Sequence, residues 1–170
     1  MTARGEPPLA GKLTVRAGGR KLVLAKRAWE SERHVLLKAL VFGLYVGTYP
    51  DLAVELSIGH RYKPDLVALG PDGRPVFWAE CGETGRDKLA LLVKVFPATH
   101  LVVAKQVATL EPYAAMLRQA LVGVRRSGPV ELVNVPPDAA RFIAADGEIA
   151  IGFDDVEVVR LSAEGGPPPI

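Results

Sequence analysis

Two apolar runs that flank a tight turn constrain the fold of this chain more than any other stretch. Residues 64–69 (PDLVAL) and 76–82 (VFWAECG) are separated by an Asp-Gly pair at positions 72–73. Asp-Gly between two apolar runs is a strong signal for a β-hairpin. Asp65 lies at the start of the first predicted strand, and Glu80 lies near the end of the second. Because a hairpin brings these two ends together, we expect the two carboxylates to be neighbours.

Two carboxylates in apolar strands need a compensating charge. An ionised carboxylate is costly to bury alone, and two that are close repel each other unless one keeps a proton or a cation lies between them. Mg²⁺ meets this need, because it takes one or two protein carboxylates and completes its shell with water and substrate phosphate. The pair therefore predicts a site for Mg²⁺, or for Mn²⁺ in its place, that handles a phosphate-bearing substrate.

The composition is that of one folded globular domain. The chain has 170 residues, 49% of them hydrophobic, with a mean hydropathy of +0.18, and this is enough to bury a core. We expect one domain over residues 1–170, with flexible ends at 1–10 and 163–170. The longest apolar run, residues 35–46, contains a lysine and is too short to span a bilayer. It is therefore interpreted as a core helix, and no membrane partner is expected.

The lone cysteine bears on the cellular compartment and on one alternative chemistry. Cys81 excludes an intramolecular disulfide, and the N-terminus lacks a signal-peptide pattern, so we expect a cytoplasmic protein. Cys81 is interpreted as a structural residue and not as a redox or acyl-transfer nucleophile. The reason is that a neighbouring carboxylate, here Glu80, raises the pKa of a thiol.

Charge is distributed unevenly along the chain. Residues 1–40 contain nine Lys or Arg and three Asp or Glu, whereas residues 136–170 contain two Arg and seven Asp or Glu. A basic half could attract a phosphate backbone. Solvated surface at both ends explains the same pattern. The basic stretch 58–63 has the same two interpretations, as a phosphate-binding segment or as an exposed loop.

Hydrophobic periodicity predicts three helices and a series of strands. The helices cover residues 29–47, 87–96 and 112–126, where apolar residues recur at helical spacing. The strands outside the central hairpin are expected at residues 12–16, 21–24, 51–57, 101–104, 130–135, 147–153 and 156–161. The first two would form an N-terminal hairpin, and the last two a short hairpin around an Asp-Asp pair. The fold class is therefore α/β, a mixed central sheet flanked by helices.

Short motifs add a family resemblance to this pattern. The matching stretches are Pro64-Asp65 followed by Glu80, residues 29–35 (WESERHV), residues 78–82 (WAECG) and residues 87–89 (DKL). They resemble the PD-(D/E)xK nuclease superfamily and, within it, YaeQ-like proteins. The resemblance covers about residues 20–105. It implies a restriction-endonuclease-like αβββαβ core over about residues 28–105 and metal-dependent hydrolysis of phosphodiester bonds in nucleic acid.

The resemblance also implies roles for individual residues. Asp65 and Glu80 would bind the metal together with the backbone carbonyl of Cys81. Glu30, in the first predicted helix, would point towards these carboxylates and act in catalysis. The alternative is that Glu30 is an acid of the first helical turn, where the helix dipole favours it. His34, four residues later, is interpreted as a packing residue, with a group that supports the metal-binding residues or a phosphate contact as the alternatives.

One departure from the superfamily pattern concerns the catalytic lysine. The superfamily expects a lysine two residues after the glutamate, and this chain has Gly82 there, as YaeQ-like proteins do. Lys88, in the first turn of the next helix, is the expected replacement, with Lys94 as the second candidate and an ordinary surface lysine as the alternative. Gly82 therefore leaves open a second function, a catalytically degenerate module that binds nucleic acid or a protein partner. Nucleases of the superfamily often dimerise, so a homodimer is also consistent with the resemblance.

Overall fold

The computed structural model describes residues 12–27 and 29–162. The ends that the sequence predicts to be flexible, 1–10 and 163–170, lie outside the described residues. The strands are β1 (Lys12–Ala17), β2 (Arg20–Ala25), β3 (Ala53–Val54), β4 (Leu66–Leu69), β5 (Pro75–Cys81), β6 (His100–Lys105), β7 (Val130–Asn134) and β8 (Glu157–Leu161). The helices are α1 (Glu32–Tyr45), α2 (Arg86–Val95) and α3 (Glu111–Leu121), with 3₁₀ turns at Ala139–Phe142 and Phe153–Asp155.

A six-stranded mixed sheet forms the centre of the molecule, in the order β3-β4-β5-β6-β7-β8. The strands β5, β6 and β7 are parallel, and antiparallel strands complete the sheet on both sides. The helix α2 connects β5 to β6, as a parallel pair requires. The mixed α/β class is thus confirmed, and the element order from α1 to β6 is αβββαβ.

The two faces of the sheet have separate hydrophobic cores. The helix α1 and the hairpin β1–β2 pack on one face, while α2 and α3 pack on the other. Side chains alternate along β5: Phe77 and Ala79 belong to the α1 side, and the fully buried Trp78 belongs to the α2–α3 side. Both faces are therefore covered, and the ends of the strands are where a site can open.

The start of α1 differs from the prediction by three residues. Ser31 is the N-cap, and its hydroxyl accepts a hydrogen bond from the backbone N–H of His34 at 3.1 Å. A serine at this position satisfies a helix N–H that would otherwise lack a partner. Glu30 therefore precedes the helix and is not an acid of its first turn. The predicted core helix over residues 35–46 is confirmed, because α1 is buried on nearly all sides.

Four other predicted elements needed more correction. Residues 51–57 contribute only the two-residue strand β3, and α3 ends at Leu121 and not at residue 126. Residues 147–153 do not form a strand: single bridges pair Glu148 with Arg16 and Ile149 with Ile143. Consequently β8 pairs with β7 and not with a hairpin partner, and the Asp-Asp pair at 154–155 lies in a 3₁₀ turn.

The sequence predicts Arg126 as the last residue of the third helix, but the structure places it outside that helix. It lies beyond the end of α3, where Gly123 turns the chain with a φ of 73°. Its guanidinium donates to the carbonyl oxygens of Val93 and Phe96 at the end of α2, over 2.7 and 2.8 Å. These carbonyls have no partner within α2, so Arg126 caps a helix other than its own.

None of the helices in the described ranges combines the length and the hydropathy that a membrane crossing needs.

Candidate functional site

A cleft of about 710 Å³ opens at the carboxyl ends of β5 and β6. Its walls come from residues 27, 29–31, 33 and 34 around the start of α1, residues 63–65 before β4, residues 81–83 after Glu80 and residues 105–107 at the end of β6. Parallel strands that end side by side are a common place for a binding site, because the following loops diverge there. The predicted hairpin carboxylates lie at this same end of the sheet.

Asp65 is fixed at the end of β5 by two contacts. Its Oδ2 accepts a hydrogen bond from the backbone N–H of Cys81 at 2.8 Å. The same oxygen lies 3.3 Å from Nε2 of His34, on α1. Asp65 also lines the cleft. The carboxylate is therefore held by the strand on one side and by a histidine on the other, and it faces the solvent-filled space.

Glu80 is next to Cys81 in the chain but contacts the other face of the sheet. Its Oε2 accepts a hydrogen bond from the indole N–H of Trp78 at 2.8 Å, and Nζ of Lys88, on α2, lies 2.6 Å from Oε1. The residue is only 3% exposed. Burial raises the pKa of Glu80, and the charge of Asp65 raises it further. Among the described residues, the cleft lining includes Asp65 but not Glu80.

Glu30 contributes to a buried network of charges behind the cleft. Lys38, fully buried on α1, pairs with Glu30 and lies 2.7 Å from Oε1 of Glu55. Glu30 Oε2 is also 2.6 Å from Nδ1 of His34. Glu30 thus reaches Asp65 indirectly, through the imidazole of His34 that lies between the two carboxylates. The expectation that Glu30 points towards the predicted carboxylates remains a prediction as far as catalysis is concerned.

The contacts within this network shift the pKa values of its members. The hydrogen bond to Asp65 raises the pKa of His34, against the effect of burial. For Lys38, burial alone would lower the pKa, but the hydrogen bonds to Glu30 and Glu55 outweigh it and raise the pKa. For Glu30, burial is outweighed by Lys38 and the backbone of Arg27, so its pKa is lowered. His34 lies between two carboxylates, with Nδ1 towards Glu30 and Nε2 towards Asp65, and is not the packing residue that the sequence suggested.

The lysine candidates occupy different places. Lys88 reaches back to Glu80, as described above, and Lys94 is exposed on α2. Lys105, which the sequence analysis did not single out, ends β6 and donates to the carbonyl oxygen of Gly82 at 2.5 Å. Burial lowers the pKa of Lys105. The signal for Lys105 was present in the sequence, as a lysine that directly follows the apolar strand predicted at residues 101–104.

Two further predictions concern Cys81 and the basic stretch before β4. Cys81 is buried, and burial raises the pKa of its thiol well above the ordinary value. Lys63 lines the cleft, but His60 packs against Phe96, with ring centres 5.1 Å apart. The basic stretch is therefore divided between the cleft and the hydrophobic core of the α2–α3 side.

Across the described ranges, no group of three or more His, Cys, Asp or Glu side chains is arranged to hold a metal ion.

Comparison with known proteins gives structural neighbours only. No protein-family model and no curated protein sequence matches the chain. The crystal structure of YaeQ protein from Pseudomonas syringae aligns with a TM-score of 0.52 and 18% identity, over 81% of this chain and 76% of that one. YaeQ protein from Xanthomonas axonopodis pv. citri aligns with a TM-score of 0.49 and 14% identity, over 76% of this chain and 73% of that one. At such identity, the likeness to the Pseudomonas protein shows the fold alone, and this chain has a YaeQ-like fold.

Proposed function

We propose that this chain is a metal-dependent nuclease that hydrolyses phosphodiester bonds of nucleic acid at the end of β5. The observation that supports this function is that the paired strands β4 and β5 bring Asp65 and Glu80 to the same end of the sheet, where Asp65 contacts His34 and Glu80 contacts Lys88. Asp65 binds the amide of Cys81 at 2.8 Å, Glu80 precedes it in the chain, and the charge of Asp65 contributes to the raised pKa of Glu80. Paired carboxylates beside a cleft are what the resemblance to PD-(D/E)xK nucleases implies for such an enzyme.

The donor set suits a hard divalent cation. Asp65, Glu80 and the backbone carbonyl of Cys81 offer only oxygen, which Mg²⁺ and Mn²⁺ prefer. Each carboxylate has a basic side chain of the protein as partner, His34 for Asp65 and Lys88 for Glu80. Both positions therefore favour positive charge. When bound, the metal would polarise a phosphoryl oxygen and lower the pKa of a coordinated water. Asp65 contacts His34 on α1, whereas Glu80 contacts Lys88 on α2. A metal ion that binds both carboxylates must therefore compete with Lys88 for Glu80.

The other side chains around the cleft would position the metal-binding carboxylates and neutralise charge on the substrate. His34 holds Asp65 at the strand end, and the buried pair of Glu30 and Lys38 holds His34. Glu30 is then a positioning residue. Lys105 offers an ammonium inside the cleft, where a preorganised cation can stabilise charge that develops on a phosphoryl oxygen. Lys88 would instead control the charge of Glu80.

The test combines metal titration with cleavage of labelled oligonucleotides. Calorimetry with Mg²⁺ and Mn²⁺ should show binding that Asp65→Asn and Glu80→Gln abolish. Each substitution should lower the cleavage rate by roughly a hundredfold or more, as the loss of a main source of electrostatic stabilisation does. Asp72→Asn, on the exposed turn of the same hairpin, is the matched control and should cleave normally. Equal cleavage by all four proteins would identify the activity as a contaminant.

A second candidate function is a module of the same fold that binds nucleic acid, or a protein partner, without catalysis. The observation that favours it is that Glu30, Asp65 and Glu80 each have a cation of the chain as partner. The same titration decides between the two functions. No heat with either metal, together with oligonucleotide binding that is equal in Asp65→Asn, would favour the binding module over the nuclease.

A further inference from the structure

Trp29 is the most exposed of the large hydrophobic side chains described. It lies at the cleft with 82% of its surface exposed, whereas the other tryptophan, Trp78, is fully buried. Leaving a large indole in water forgoes a substantial hydrophobic stabilisation. Exposed aromatic surface beside charged groups is typical of binding sites. The guanidinium of Arg27 lies 5.8 Å from the centre of the ring, and most of the indole surface is left for a binding partner.

The backbone around Trp29 is held in place. Glu30 N–H donates to the carbonyl oxygen of Arg27 at 2.9 Å, and Arg27 N–H donates to Oε1 of Glu30 at 3.2 Å. The carboxylate of Glu30 is in turn paired with the buried Lys38, and Ser31 begins α1 directly afterwards. The residue that follows Trp29 is thus anchored, and such anchoring lowers the entropic cost of binding a ligand at its neighbour.

Cations line the same cleft as Trp29. Arg27, Arg33 and Lys63 are among its lining residues. Arg27 pairs with Glu55 at 3.7 Å. Within the described ranges, neither Arg33 nor Lys63 lies within 4.0 Å of a carboxylate oxygen. An aromatic platform next to cations without acidic partners matches a chain of alternating bases and phosphates.

We infer that the cleft binds a single-stranded segment of nucleic acid, with a base stacked on Trp29 and the adjacent phosphates at Arg33 and Lys63. In a duplex both faces of each base are covered by the neighbouring bases, so a base must leave the stack before Trp29 can reach it. A single strand offers its bases at little cost. The placement of a scissile phosphate near Asp65 rests on the proposed function, but the stacking on Trp29 does not.

The experiment measures binding of the whole chain without cleavage. In EDTA, fluorescence anisotropy compares a labelled single-stranded thymidine oligonucleotide, a duplex of equal length and a base-free polyphosphate. We expect the single strand to bind most tightly. Trp29→Ala should weaken single-strand binding by roughly tenfold, as the loss of one stacked base does, and Trp29→Phe should retain part of the affinity. Phe153→Ala is the matched control, because Phe153 is an aromatic residue with 46% exposure that does not line the cleft.

The salt dependence tests the phosphate contacts separately. Arg33→Ala should reduce the slope of log affinity against log salt by about 0.7, the value for one phosphate of a single strand. Arg118→Ala, outside the cleft, should leave the slope unchanged. Duplex or polyphosphate binding as tight as the single strand, or unchanged single-strand binding by folded Trp29→Ala and Trp29→Phe, would overturn the inference. A chain that binds single strands through Trp29 but never cleaves them would instead contradict the nuclease function alone.

Discussion

Lys105 donates a hydrogen bond to the carbonyl oxygen of Gly82 over 2.5 Å, from the neighbouring parallel strand. Gly82 is the position where the PD-(D/E)xK pattern would have its lysine. The ammonium of Lys105 is 4.2 Å from the ring centre of Tyr113, and only 3% of the residue is exposed. A cation is thus held beside the strand end by a different strand from the one that the motif uses.

The first prediction separates the two lysine candidates. If the chain cleaves nucleic acid, Lys105→Met should lower the rate by about a hundredfold, because a preorganised cation in the cleft is lost. Lys88→Met should tighten Mn²⁺ binding, because the substitution removes the cation that competes for Glu80. Single-turnover cleavage and calorimetry measure the two effects. Lys94→Met, an exposed change on α2, is the control. Full activity in Lys105→Met with a large loss in Lys88→Met would reverse the assignment.

The second prediction concerns Gly82, the position at which the nuclease pattern described above would have a lysine. Gly82 has a φ of 81°, a left-handed conformation that costs an L-residue about 1–2 kcal/mol. A Cβ at this position would be in ordinary contact with the ring of His34, at 3.8 Å, so the penalty comes from the backbone and not from crowding. Gly82→Lys should therefore lower the unfolding free energy by about this amount, measured in urea, and Gly82→Ala should match it. Unchanged stability in both variants would contradict the prediction.

The third prediction tests the buried charge network. Lys38→Met keeps the volume but leaves the carboxylate of Glu30 without its ammonium partner. Removing one member of a buried pair costs about 3–5 kcal/mol, and we expect a loss of unfolding free energy in that range. The double variant Lys38→Met with Glu30→Gln should recover part of it, because the buried side chain at position 30 is then neutral and the more exposed Glu55 keeps Arg27 as a partner. Lys21→Met, an exposed change on β2, should lose almost nothing in the same urea titration.

The fold was more predictable from the sequence than the site. The Asp-Gly turn is a local signal, and Gly73, with a φ of 80°, provides the turn that joins β4 and β5. Hydrophobic periodicity likewise identified α1, although Ser31 begins it later than the amphipathic pattern suggests. The N-cap decided this boundary, because a backbone N–H bond accepted by a serine hydroxyl is worth more there than the helical preference of Trp29 and Glu30.

The partners of the site residues could not be predicted in the same way. That Asp65 and Glu80 meet at one strand end follows from the hairpin alone. Lys105 comes beside Gly82 only through the register of β5 and β6, which periodicity does not fix. The contacts of His34 and Lys38 depend on where α1 crosses the sheet. Such long-range relations carry no local sequence signal, so the partners of these charged side chains could not be predicted.

The fourth prediction uses His34, whose pKa is raised above its ordinary value of 6.5 by Asp65. A group with a raised pKa in the folded state stabilises the fold below its unfolded pKa, and this contribution is lost as the pH rises through the folded value. The wild-type chain should therefore lose stability above pH 6.5, and His34→Gln should show a flatter profile. Urea titrations across this range measure both. Asp65→Asn should flatten the profile similarly, whereas equal profiles in all three proteins would contradict the prediction.

A second charged cluster lies at the opposite end of the sheet from the cleft. Glu131, on β7, accepts hydrogen bonds from the hydroxyl of Tyr45 at 3.2 Å and from Nη2 of Arg160 at 3.0 Å, and it pairs with His100. Burial would raise the pKa of Glu131, but the hydrogen bonds from His100 and Arg160 outweigh it and lower the pKa to about 2. The cluster touches no residue of the cleft, so it reports on stability alone.

The fifth prediction is that Glu131 dominates the acid sensitivity of the fold. A lowered folded pKa stabilises the protein above the unfolded value of 4.5, and this stability is lost as the pH falls from 4.5 to about 2. The difference corresponds to about 3 kcal/mol for a group this well buried. Glu131→Gln should be less stable than the wild type at neutral pH, with the gap closing over that acid range in urea titrations. Glu157→Gln, exposed on the adjacent β8, should follow the wild-type profile, and a gap that persists at low pH would assign the loss to packing instead.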